Sequence, residues 1–576
     1  MNPFMSRTTT AALTLSLVWA LAACGGGSTP DAAPNVQAKA TAEPVASSGQ
    51  VAPAATAAKV SFFAASRFAE QVSFGATPTL VAEIQAKGFE KWIDDQLALP
   101  LVAIDMRPAE AVYAYGSNDQ PPQELWQYLD RQFGNRAISG ADQLRMRVTW
   151  GLSQFVVAAT TKGEVPGWVN WQNLLYRNAL GRYDTLLREA STDSHMGHYL
   201  DNDQNRPKSA ECRHCAPNEN YARELMQLFA IGVYKLNADG TPQRDGRGRF
   251  IETYTQRDVE ELARALTGWT RDYSGPPRPN RNWGNWGVPM IPSTWPPERD
   301  AGAKTVLGRV FPANQGAVKD LDDTVAMLMA HANIAPFVSF RLIQHLVKSN
   351  PTPAYVTRIA AKFNNNGSGV KGDMKSVVKA ILLDAEARAG DSPSTARVDD
   401  GKFREPFLYT TAMWRGLGCT AMPITNWGSV AISGTQSPFR QNSVFSFYAP
   451  TDRAPGSNLL APEQRLATTT ELRDRTNQAS WPTQWDNATQ KQDVSRLRTA
   501  GCDIDALSAA FFKSPAAFAD HLSARYFRGA MPPTLRSNLT DIMSLQGPPY
   551  NKNDATEGPL RMMNYATLTP YFGAMK

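Results

Sequence analysis

The chain has 576 residues with 14 Trp and 42% hydrophobic side chains, ample material for a large packed body. Its formal net charge of +6 is spread along the whole length with no basic block. That distribution argues against nucleic-acid binding, and the export signal at its start argues against it further.

Arg7 supplies a positive start, and Ala11 to Ala20 is an apolar run too short for a membrane-spanning helix. The run ends in Leu21-Ala22-Ala23-Cys24, followed by Gly25-Gly26-Gly27. This pattern is similar to a bacterial lipoprotein signal, in which Cys24 takes a diacylglyceryl group plus a fatty acyl chain such as palmitate and becomes the new N-terminus. The alternative is an ordinary secretory peptide with an incidental cysteine. Each buried CH₂ contributes about 0.8 kcal/mol, so two or three acyl chains hold a protein firmly on a bilayer. The residue after Cys24 is Gly25 rather than the Asp of inner-membrane retention, and resemblance to other lipoproteins implies the outer membrane. The body is then expected in the periplasm or at the cell surface. Residues 25 to 59 are mostly Ala, Pro, Gly, Ser and Thr and cannot bury enough surface to offset their ordering entropy. The expected organisation is a signal peptide over 1–23, a disordered tether over 24–60 and a folded domain over 61–576.

That domain reads as mainly α. Helical spacing of apolar residues runs through Thr79–Leu97, Asp142–Val157, Trp171–Ala190, Asp323–Val347, Asp373–Arg388 and Ile504–Phe527. Asp239-Gly240 and Asp245-Gly246 are turn signals for a small β-hairpin after Tyr234. Residues 272 to 300 are rich in Pro, Gly and Trp and read as a long irregular insertion, and the segment after Asn442 is again irregular. Length alone suggests two to four domains. Without a linker-like break after residue 61, the prediction is one large multi-helix domain with long irregular loops.

Two helices near the centre carry most of the ionisable residues that invite a chemical reading. The first opens at Pro217 with Asn218 as N-cap, buries Tyr221, Leu225, Leu228 and Phe229, and stops at Gly232. Glu219 and Arg223 stand four apart and can pair on one face. The second opens with Thr255-x-x-Asp258, a capping box using Asp, and buries Val259, Leu262, Ala263 and Leu266. Asp201, Glu219, Arg223, Glu224, Asp258 and Arg264 are therefore either a structural clamp with caps or a charged site. In the clamp reading, Glu219 and Arg223 are largely buried and Arg264 bridges the two helices.

His195 and His198, three apart beside Asp201, offer a weak metal or acid–base cluster, set against ordinary packing roles. Asn237 to Gly248 has calcium-loop spacing but puts Pro242 where the sharp turn needs Gly, and Gly248 where a bidentate Glu is needed, so it fails as an EF-hand. Beyond Cys24, four cysteines remain. Cys212-x-x-Cys215 admits a disulfide, a redox pair or a metal half-site, and Cys419 and Cys502 are the pairing left over. The familiar hydrolase, zinc-protease, P-loop and dinucleotide-binding signatures are missing, and no cofactor is indicated.

Asn218 to Gly232 (NENYARELMQLFAIG), Tyr254-Thr-Gln-x-Asp258-Val and Ala263-Arg-Ala-Leu-Thr-Gly-Trp269 resemble the signature of the bacterial family called domain of unknown function 1800. Arg67-Phe-x-x-Gln71-x-Ser-Phe-Gly75-x-Thr, Tyr199-Leu-Asp201-Asn202, Lys304-Thr-x-Leu-Gly308 and Ser443-Val-Phe-Ser-Phe447 extend the likeness. The resemblance implies an exported, largely α-helical protein without an agreed activity, often encoded beside an exported protein similar to sulfatases and phosphatases. The chain departs from the family pattern at His195–His198 and at Cys212–Cys215, both beside the signature. Two functions follow as expectations: an envelope binding or assembly factor working with such a partner, or a hydrolase-like envelope enzyme with its site around Asp201, Glu219, Arg223 and Asp258.

Overall fold

Helix follows helix along the chain, and glycines and tertiary bridges decide where each one ends. The computed structural model describes residues 59–575 except 106, 109–122, 275–284, 398–399, 426–431, 433, 487–490 and 546–556. Thr77 caps Pro78–Lys87 by accepting the Leu80 N–H. The helical pattern over Thr79–Leu97 then splits at Gly88, which adopts φ 76° and separates a second helix, Phe89–Ala98. The break lets Phe89 and Trp92 both reach Phe68, with ring centroids 4.6 and 5.8 Å away.

The pattern over Trp171–Ala190 likewise divides into Val165–Asn178 and Tyr183–Thr192. Between them the backbone pairs with a distant segment: Tyr183 N–H donates to Gly372 and Met374 N–H to Gly181. Ala317–Ala330 and Ile334–Leu346 meet at a 77° bend. Asn333 holds that corner, donating to the carbonyls of Ile231 and Tyr234 and accepting the Leu236 N–H. Among the described residues no single helix is long and apolar enough to cross a membrane.

The chain is 54% helical, and its strands form only two-stranded antiparallel pairs among the described residues. One pair, Lys304–Val306 with Arg309–Phe311, lies against the second signature helix, and another joins Lys402–Phe403 to Ala574–Met575 near the C-terminus. The expected hairpin is a short three-armed meander rather than a ladder. Lys235, Gln243 and Ile251 exchange backbone bonds, while the pairings there are isolated bridges. Two turns within so few residues leave arms too short for regular strands, and Pro242 has no N–H to donate.

Residues Ala58–Lys576 form one compact unit. Its main core gathers Phe68, Trp150, Leu187, Leu225, Leu262 and Leu342, and a second cluster gathers Trp414, Leu497, Phe511, Leu522 and Met563. The helix Pro406–Gly416 is buried along its whole length and serves both, giving Phe407 to the first and Met413 and Trp414 to the second. Gln143–Ser153 is also buried on every face. The polar residues of these two helices are buried as well, and two of them, Arg147 and Trp150, enter the ionic network described below.

Candidate functional site

The first signature helix runs from Asn220 to Glu224 and continues as a π-turn from Leu225 to Ala230. The N-cap position falls on Glu219 rather than on Asn218, without a side-chain cap; Asn218, one residue earlier, accepts the Asn220 N–H on its Oδ1 at 2.9 Å. Gly232 ends the helix with φ 70°, and both Ile231 and Gly232 donate to the Met226 carbonyl. The wider turn was not legible from periodicity. It coincides with burial of the consecutive residues Leu225 and Met226.

Glu219 and Arg223 pair at 2.6 Å across one helical turn, and Gln256 of the second helix bonds to both. The expectation that this pair is buried is overturned, since the Arg223 side chain is 36% exposed and that of Glu219 33%. The pair lies where the starts of the two helices meet at the surface, so water solvates both heads. Arg223→Ala is accordingly expected to cost about 1 kcal/mol or less. Thr255→Ala, which removes a cap, should cost about 0.5–2 kcal/mol. Denaturant midpoints of the two variants check both ranges, and a loss from Arg223→Ala well above about 1 kcal/mol would contradict the surface placement of the pair.

The capping box is present in full. Thr255 Oγ1 accepts the Asp258 N–H, and the Asp258 carboxylate accepts the Thr255 N–H at 2.8 Å. Asp258 Oδ1 also accepts the Leu307 N–H at 2.7 Å, tying the helix to the turn of the Lys304–Phe311 hairpin. Burial pushes the Asp258 carboxyl up, but the hydrogen bonds from Thr255 and Leu307 hold it below its ordinary value. Arg264 does not bridge the two helices. Its guanidinium forks onto Asp300 at 2.8 and 3.0 Å and also bonds Glu261 of its own helix, because the chain after the long insertion passes alongside. Asp201, in the left-handed region at φ 58°, accepts from the Asn220 side chain at 2.7 Å.

The six residues therefore have separate partners: Asp201 takes Asn220, Glu219 takes Arg223, Asp258 caps its helix, Arg264 holds Asp300 and Glu261, and Glu224 points inward. Glu224 is buried with Oε2 unpaired, and desolvation, partly offset by Arg223, raises its carboxyl to about 7. Its folded-state pKa lies above the ordinary 4.5, so the group favours the folded state most below pH 4.5. That contribution is lost as pH rises through about 7. Glu224→Gln should flatten the stability–pH curve over this window by about 1–2 kcal/mol, and an unchanged slope would contradict the assignment.

His195 is fully buried, and burial depresses its imidazole to about 3, outweighing the upward pull of the Ala158 and Ala159 backbone. Its ring packs against Gly163, where an added Cβ would come within 2.8 Å of Nδ1, and its own Cβ lies 3.2 Å from where one would stand on Gly167. His198 sits edge-on to Trp286 at 5.1 Å. Asp193 caps this short helix by accepting the His195 and Met196 N–H groups. Among the described residues no three His, Cys, Asp or Glu side chains are grouped to hold a metal ion. The four body cysteines are bonded as Cys212–Cys215 and Cys419–Cys502. Cys24 lies outside the described residues.

The densest charge lies elsewhere, around Lys402-Phe403-Arg404-Glu405 at the entrance to the central helix, and was not anticipated. Glu405 is fully buried and accepts from Trp150 Nε1 at 2.8 Å, Gln436 Nε2 at 2.9 Å and Tyr448 OH at 2.6 Å. Burial opposes its charge, yet Lys402 and these three donors hold the carboxyl at about 2. Lys402 reaches Glu463 at 3.1 Å and the carbonyls of Gln344 and His345. Arg147 donates to the His345 carbonyl at 2.6 Å, and burial lowers its guanidinium to about 10. Arg404 turns the other way to Glu70, which Arg528 also holds at 2.6 Å. Four consecutive residues with three charges just before Pro406 were the visible signal; the partners lie too far along the chain to be read.

Together these features define a mainly α-helical protein stapled by buried ion pairs, whose signature charges, Glu224 apart, are taken up in a cap, hydrogen bonds and ion pairs. The chain belongs to the family described as protein of unknown function (DUF1800), which matches residues 67–573. No curated protein and no solved structure matches it.

Proposed function

We propose that this protein is a lipid-anchored binding or assembly factor of the bacterial cell envelope, tethered through Cys24 and acting beside an exported partner enzyme of the sulfatase or phosphatase type. One observation carries the preference for binding over catalysis. The signature residues put forward as a catalytic cluster are engaged separately, Asp258 in a capping box, Arg264 on Asp300 and Glu219 with Arg223 at the surface. An enzyme site around Asp201, Glu219, Arg223 and Asp258 would need these groups to converge on one reacting atom. The two bonded cysteine pairs suit an oxidising compartment outside the cytoplasm.

Anchoring rests on Leu21-Ala22-Ala23-Cys24 and the polar tether that follows. Cys24→Ser is expected to move the protein from the outer-membrane fraction to the soluble periplasmic fraction. Membrane fractionation unchanged by this substitution would refute the anchor.

A further inference from the structure

Just before the signature, residues 206–217 form a loop in which no residue is buried. Its ends are pinched together by two asparagines. Asn218 N–H donates to Asn205 Oδ1 at 2.7 Å, and Asn205 Nδ2 donates to the Asn218 carbonyl at 3.2 Å. Surface loops of this length with a closed neck are frequently functional.

The Cys212–Cys215 bond lies wholly inside the loop. Ser209 N–H and Cys215 N–H both donate to the Cys212 carbonyl, and Cys212 N–H donates to Ser209 Oγ, so the turn around the bond is local. The asparagine neck holds the loop ends whether or not the sulfurs are joined. Opening this bond therefore leaves the start of the signature helix in place. Cys212 and Cys215 are both partly exposed, whereas Cys419 and Cys502 are 5% and 7% exposed within the second core cluster.

Two features suit the loop to attack by a protein thiolate. Arg206, Lys208 and Arg213 set against Glu211 give it a net charge of +2, three positive less one negative. Positive charge draws in the anionic nucleophile and stabilises the thiolate that leaves. Exposed aromatic surface also flanks the neck. The Arg206 guanidinium lies over the Trp295 ring at 5.6 Å, and Gln204 Nε2 donates to Tyr273 OH at 3.2 Å. Trp295 and Tyr273 are 41% and 40% exposed. A small thiol leaves such a flank in water, but a docked protein covers it, and aromatic residues are enriched at protein interfaces.

We propose that Cys212–Cys215 is a redox-active disulfide that accepts two electrons from the dithiol of a thiol–disulfide oxidoreductase docked against Trp295 and Tyr273. One thiolate of that dithiol attacks a sulfur of the bond, forming a mixed disulfide and releasing the other cysteine as a thiolate. The partner's second thiol, deprotonated, then attacks its own sulfur in the mixed disulfide. The partner leaves as a disulfide, and the two protons of its thiols end on Cys212 and Cys215. This exchange needs neither the lipid anchor nor a partner of the sulfatase type.

The test follows alkylation of each cysteine by mass spectrometry in the detergent-solubilised full chain. Reduced thioredoxin serves as the protein dithiol and dithiothreitol as the small one. Thioredoxin should reduce Cys212–Cys215 about a hundredfold or more faster than Cys419–Cys502, which reacts only when the second core opens. A thioredoxin whose second active-site cysteine is replaced by serine should be trapped on the loop as the mixed disulfide. Lys208→Glu combined with Arg213→Glu should slow both reductants by about tenfold. Trp295→Ser should slow thioredoxin and leave the dithiothreitol rate unchanged, and both variants should retain the melting temperature. Equal rates at the two disulfides, no trapped mixed disulfide, or thioredoxin rates unmoved by the charge variant or by Trp295→Ser would overturn the proposal.

Discussion

Replacing Glu405 with alanine is expected to destabilise the protein by about 3–5 kcal/mol, the range for removing one partner from a buried ionic network. The substitution strips the acceptor from Trp150, Gln436 and Tyr448 together, and leaves Lys402 to Glu463 alone. These partners come from the buried helix Gln143–Ser153 and from loops beyond residue 434, so the loss spreads across the main core. Glu405→Gln keeps the shape and some of the acceptors, and should cost less. The same carboxylate sets an acid limit. Its folded-state pKa of about 2 lies below the ordinary 4.5, so its stabilisation is present above pH 4.5 and is lost as pH falls toward 2. The difference corresponds to about 3 kcal/mol. Urea midpoints of the wild type and the two variants, taken at neutral and acid pH, check both statements. An alanine variant as stable as the wild type would remove the network from the account.

The second large effect is expected from the Cys419–Cys502 bond, which closes a sequence separation of 83 residues within the second core cluster. On the chain-entropy argument a loop of that length contributes about 4–5 kcal/mol, whereas the three-residue separation of Cys212–Cys215 contributes only about 2 kcal/mol. Replacing each pair with serine should therefore lower the melting temperature unequally, with the larger fall for Cys419 and Cys502. Equal falls, or alkylatable thiols in the untreated protein, would contradict the assignment.

What could be read from the residues was what is local. The Thr255–Asp258 capping box, the Glu219–Arg223 pair and the Gly232 stop each depend on positions within one or two turns, and each is found in the structure. The mainly helical class follows from apolar spacing in the same way. What could not be read depends on distant chain. Gly88 and the Gly181 segment interrupt continuous helical patterns because other elements pack or pair there. Arg264 chose Asp300 over the neighbouring helix, and Glu219 with Arg223 came to the surface because the helix starts meet there. The Glu405 network draws on Trp150 and Tyr448, far apart in sequence and joined only by folding.

The separate engagement of the signature residues is the centre of this reading, and one paired measurement tests it. Equilibrium unfolding of Glu219→Gln, Arg223→Ala and Thr255→Ala would be set beside the ability of each exported variant to restore a strain lacking the gene. Small losses are expected, about 1 kcal/mol or less for the surface pair and about 0.5–2 kcal/mol for the cap, with restoration tracking the amount of folded protein. An Arg223→Ala protein that is exported and folds with wild-type stability, yet restores nothing, would contradict the account and make the signature a site.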